Sequence, residues 1–157
     1  IGITATRLNA QLLHAVFSDY CKDPVVYDPT SVHYISSRIL VAAGWKPGFS
    51  TDYDAVLIAE RLAAHTVINL TNIAKVYTAD PKQDPNAQPI DAITWKEFRE
   101  LVGDEWTPGK NLPFDPVATK HAASLGLRVI SAAGKNMTNL VNLLYERDFE
   151  GTVIGPE

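Results

Sequence analysis

Short apolar runs alternate with helix-like stretches along most of the chain, and that alternation points to an open, mainly parallel sheet covered by helices on both faces. PVVYD (24–28) reads as a short strand, and the polar stretch Ser31–Ser37 is compatible with a helix. RILVAAG (38–44) is an apolar run that ends in glycine, as buried parallel strands often do. DYDAVLIAERLAA (52–64) has apolar residues around most of its circumference, so it is expected to be a largely buried helix feeding a second buried strand, VINLTN (67–72).

The alternation continues beyond a Pro- and Asp-rich segment, KVYTADPKQDPNAQPID (75–91). In TWKEFRELVG, Thr94 and Glu97 form a capping-box pattern and Gly103 suits the C-terminal cap. Helix DPVATKHAASLG, strand LRVISAAG, helix NMTNLVNLLYERD and a closing strand EGTVIG follow. No repeat, low-complexity tract or linker interrupts them, so residues 1–157 read as a single domain.

Composition narrows the partners. A net charge of -4 argues against a nucleic-acid binder or an anionic-membrane binder, both of which concentrate positive charge. No apolar run approaches the roughly 20 residues of a membrane span. Cys21 cannot form an intramolecular disulfide and reads as a small, partly buried side chain after a helix, which suits the cytoplasm. The histidines, His14, His33, His65 and His121, are scattered without metal-ligand spacing. The opening IGITATRLNAQLLHAVF has Leu8, Leu12, Ala15 and Val16 at helical spacing and no capping residue before Ile1, so this helix is expected to begin upstream of the sequence.

In sheets of this kind ligands collect beyond the carboxyl ends of the strands. GWKPGFSTD (44–52) lies there: Gly44, Pro47 and Gly48 shape a turn whose amides can face a ligand, and Ser50 and Thr51 add hydroxyls at a helix N-terminus. Lys46 adds a cation, and Asp52 reads either as a helix cap or as a functional carboxylate. A second segment, LTNIAKVYTADP (70–81), sets Tyr77 beside Thr71, Asn72, Lys75, Thr78 and Asp80, which suits a nucleotide or an ordinary packed turn. A third, GDEWTPGKNLPFDPVATK (103–120), is a long loop entering a helix at Asp115-Pro116, and it reads either as a lid or binding loop or, by preference, as a segment pinned down by Trp106 and Phe114. No Walker A sequence, dinucleotide fingerprint or nucleophile elbow is present.

Taken in order, GWKPGFSTD, TNIAKVYTADP and FDPVATK resemble the archaeal-type UMP kinases of the amino-acid-kinase superfamily, over nearly the whole chain. The resemblance implies a three-layer αβα sandwich and phosphoryl transfer from ATP, with Mg2+, to UMP. It places UMP on Gly44, Trp45, Lys46, Pro47, Gly48, Phe49, Ser50 and Thr51, with Thr51 near the phosphate. It assigns Asp52 to organising the transfer, and Thr71, Asn72, Tyr77 and Asp80 to ATP. It also implies a homohexamer whose contacts include the first helix.

Three departures matter. The family's opening glycine-rich loop with its lysine, the second glycine-rich segment near an arginine, and an acidic UMP contact expected just before Ile1 are not in this sequence, which reads as the C-terminal two-thirds of such an enzyme. Ala74 stands where the family commonly has an aspartate. The chain alone is therefore expected to show little kinase activity. Another small-molecule kinase of the superfamily, acting on a carboxylate, carbamate or isopentenyl phosphate, remains an alternative, as does a nucleotide- or oxyanion-binding homologue resembling the molybdenum-storage proteins.

Overall fold

The computed structural model describes residues 1–103 and 112–156, which pack as two compact units, Ile1–His65 and Thr66–Glu157. The first unit holds helix α1 (Gly2–Val16), a 3-10 turn (Pro29–Ser31) and helix α2 (Thr51–Arg61). Its small core gathers Ala10, Cys21 and Val41, with Val25, Ile39 and Ala43 packed against them. Cys21 is more deeply buried than expected, at 1% exposed.

Several expectations fail in this unit for local reasons. PVVYD and RILVAAG do not form strands; they meet in a single parallel bridge, Val26 with Ala42, closed by two backbone hydrogen bonds of 2.9 Å. Pro24 has no N–H to extend the ladder one way, and Asp28 turns the chain into the 3-10 turn on the other by accepting from the Thr30 amide. Ser31–Ser37 is not helical beyond that turn, because the Ser36 and Ser37 hydroxyls donate to the Asp23 carboxylate. The helix expected at the start is present as α1, and its apolar stripe faces outward: Leu8, Leu12 and Val16 are exposed and the buried residue is Ala10. Helix α2 is only partly buried, through Asp54, Val56 and Ala59, and stops at Arg61 before Ala63 turns to a φ of 52°.

The second unit is an α/β layer structure on a sheet ordered β1 (Thr66–Thr71), β5 (Arg128–Ala133), β6 (Thr152–Gly155), β4 (Ala92–Thr94). β1 and β5 are parallel, as are β4 and β6, whereas β5 and β6 run antiparallel. β5 is one of the two inner strands, and residues 129–132 are all buried, so both of its faces are covered. On one face Ile130 and Ala132 pack with Leu143 of α5 (Met137–Leu144), joined by Ile68, Phe149 and Val153. β1 differs from expectation: it is an edge strand among the described residues, with Leu70 45% exposed.

Helix starts in this unit follow the sequence closely because their causes are local. α3 (Trp95–Val102) carries the complete Thr94/Glu97 capping box and ends at Gly103 with φ 82°. α4 (Pro116–Ser124) is capped by Asp115, which accepts from the Val117 and Ala118 amides at 2.8 Å. Phe114 is an anchor, 1% exposed, and Trp106 lies outside the described residues. The Pro- and Asp-rich segment contains an unanticipated hairpin, β2 (Val76–Tyr77) with β3 (Pro89–Ile90), and the short strand β4 follows it. No helix of the described residues is long and apolar enough to cross a membrane.

Candidate functional site

In the first unit the segment Gly44–Asp52 is fixed from several sides. The Gly44 amide donates to Thr6 Oγ1 at 3.0 Å, and a β-carbon on Gly44 would come within 2.9 Å of that oxygen, so α1 reads this glycine by close approach. The Trp45 carbonyl accepts from Arg7 Nη2 at 2.7 Å, and the Trp45 amide donates to Asp54 Oδ2 at 3.0 Å. Lys46–Phe49 then forms a type II turn: Pro47 takes its second position, Gly48 its third at φ 93°, and the Phe49 amide closes it onto the Lys46 carbonyl.

Beyond the turn, Ser50 caps α2 by accepting from the Tyr53 amide at 3.1 Å. The N-cap of α2 is Ser50, and Asp52 is half-buried in the first helical turn beside exposed Thr51. The side chains of this loop gather. Trp45 and Phe49 lie 4.7 Å apart between ring centroids, Phe49 and Tyr53 5.5 Å, and Lys46 Nζ sits 3.7 Å over the Trp45 ring. Asp28 faces the same cluster. Hydrogen bonds from Thr30 do most to hold its carboxyl below the usual range, with smaller contributions from the Lys46 charge and the Trp45 side chain.

The structure therefore brings the expected residues 44–52 together and adds ones the sequence reading passed over: Thr6, Arg7, Asp28 and Asp54. Asp54 lay inside a helix read only for its apolar residues. Its carboxylate is 5% exposed, and burial pushes it up while the Trp45 amide draws it partly back.

In the second unit Thr71 ends β1 with its hydroxyl bonded to the Ile73 amide and carbonyl, and its own carbonyl accepts from the Gly134 amide. Asn72 is exposed beyond it, and Ala74 is half-buried in the bend that follows. Tyr77 is half-buried in the hairpin opposite Pro89. Asp80 holds a turn: its carboxylate accepts from the Lys82 amide at 2.9 Å and the Gln83 side chain at 3.0 Å. Lys75 pairs with Asp91, which ties the two ends of the hairpin. No group of three or more His, Cys, Asp or Glu able to hold a metal ion occurs among the described residues.

The family model described as the amino acid kinase family matches residues 1–131. A uridylate kinase of Methanocorpusculum labreanum is 34% identical over 159 residues, covering 99% of this chain and 67% of its own length. The solved uridylate kinase of Archaeoglobus fulgidus superposes with a TM-score of 0.82 at 33% identity, covering 98% of this chain and 70% of its own. The UMP kinase of Bacillus anthracis, at 17% identity and a TM-score of 0.77, shares the fold. The chain thus spans about two thirds of the length of these relatives.

Proposed function

From the chain's membership of the amino acid kinase family, among nucleoside-monophosphate kinases of the uridylate kinase type, we propose that its Gly44–Thr51 loop binds UMP as acceptor for a phosphoryl group from ATP. The observation that carries this reading is the loop's construction: a rigid turn, fixed at Gly44, Trp45 and Ser50, that delivers exposed Thr51 to the N-terminus of an 11-residue helix. A helix N-terminus suits a phosphate.

Phosphoryl transfer asks a protein chiefly to align donor with acceptor and to balance charge. Thr51 at the N-terminus of α2 holds the UMP phosphate, Lys46 supplies positive charge, and Asp52 organises the transfer. In the second unit, Thr71 and Asn72 at the end of β1, with Tyr77 and Asp80, contact ATP. Mg2+ arrives with ATP and offsets charge on its phosphates. The exposed Leu8, Leu12 and Val16 stripe of α1 is the surface through which copies of the chain associate. Ala74, in place of the aspartate common in the family, removes one hydrogen-bonding group from the ATP side.

A thermal-shift panel tests the reading. UMP is expected to raise the melting temperature, and molybdate to leave it unchanged; a response to molybdate alone would favour an oxyanion-storage role. In a chain extended to the length of its relatives, Asp52→Asn is expected to lower turnover by about a hundredfold, the scale of losing one electrostatic group. Unchanged turnover would remove Asp52 from the mechanism.

A further inference from the structure

Asp54 is an expensive choice for its place in α2. The carboxylate is 5% exposed, and no group among the described residues donates to its buried Oδ1. A residue serving packing alone would be apolar there, as its neighbours Val56 and Ala59 are. What the carboxylate does engage is the Trp45 amide, through Oδ2 at 3.0 Å. On the other side of the same residue, the Trp45 carbonyl accepts from Arg7 Nη2 at 2.7 Å, and Arg7 Nε reaches the Gly44 carbonyl at 3.4 Å. Arg7 is itself braced: its guanidinium lies 4.8 Å over the Tyr27 ring, and the Tyr27 hydroxyl accepts from Gln11 at 2.6 Å.

We infer that Arg7 and Asp54 are positioning residues that grip the backbone of Trp45 from opposite sides and so fix how the acceptor loop presents its ring-and-lysine cluster. The inference rests on the acceptor reading of that loop. Trp45 has one backbone donor and one backbone acceptor, and each is held by a side chain from a different helix, α1 and α2. Its ring supports Lys46 at 3.7 Å and packs on Phe49. Release of either grip lets the ring swing and takes the lysine with it. Hydrogen bonds to charged side chains are among the stronger ones in proteins, so each grip holds the loop more firmly than a neutral turn contact.

The experiment measures hydrogen exchange of the Trp45 amide by NMR, with UMP and ATP affinities and denaturation midpoints, in Asp54→Ala, Asp54→Asn and Arg7→Met. Asp54→Ala and Arg7→Met are each expected to speed Trp45 exchange and weaken UMP binding by about tenfold, with ATP affinity unchanged. Asp54→Asn keeps a carbonyl acceptor for the amide and is expected to restore both. A folded Asp54→Ala with unchanged exchange and UMP affinity overturns the inference, as does an Asp54→Asn no better than Asp54→Ala. If Asp54→Ala does not fold, Arg7→Met and Asp54→Asn decide by the same criteria. Failure of the unsubstituted chain to bind UMP counts against the acceptor reading, while Trp45 exchange still decides the grip.

Discussion

Gly48 and Gly44 show how differently two glycines of one loop can be required. Gly48 sits at φ 93° with open space around it, so its need is conformational; Gly44 has no positive φ, and its need is the Thr6 hydroxyl beside it. The first was legible from a Pro-Gly pair, whereas the second depends on a residue 38 positions away that no local pattern names. Gly48→Ala is expected to cost about 1–2 kcal/mol in denaturant melts, the cost of a β-carbon in left-handed backbone. Asp52 and Asp54 make the same point about carboxylates: composition marks both as first-turn acids, but only the helix's rotation against its neighbours turns Asp54 inward. The raised Asp54 carboxyl gives a sign to test. Its folded form holds a proton above the ordinary value of 3.8, so the group's contribution to stability falls as pH rises from there through its folded pKa. Asp54→Asn should therefore gain on the unsubstituted chain as pH rises above about 4 in denaturation melts; a constant difference between the two would contradict it.

At the scale of elements, legibility followed the range of the forces. α3, α4 and α5 start where caps within three residues place them: Thr94 with Glu97, Asp115, and Asn136. The β2/β3 hairpin escaped notice because its paired strands are two residues each, too short for a period, and Thr78 and Gln88 bond across it. PVVYD and RILVAAG had the composition of strands, but their pairing stops at one bridge, since composition says nothing about whether a ladder finds donors. Thr94→Ala is expected to cost about 1 kcal/mol by shortening α3 at its start, read as a lower denaturation midpoint. The same box has a pH signature. Hydrogen bonds from Thr94 hold Glu97 below its ordinary value of 4.5, so its stabilisation is present above that value and fades as pH falls through the folded pKa. Thr94→Ala should lessen that acid-side loss.

At the scale of the whole molecule, the mainly parallel sheet with helices was legible because buried strands and helices differ in period and length, and the motif order gave the family. The antiparallel run of β6 against β5 was not, because a strand's sequence carries no direction. The chain spans about two thirds of its relatives' length, and we propose that alone it binds nucleotide while forming ADP slowly or not at all in a UMP-dependent assay. Robust turnover by the 157 residues would mean that the groups described here suffice. NMR mapping tests whether the Gly44–Thr51 loop is the UMP site. Titration with UMP is expected to shift the backbone amides of residues 44–52 first and saturably, whereas shifts confined to residues beyond 66, or none at all, would rule this loop out as the UMP site.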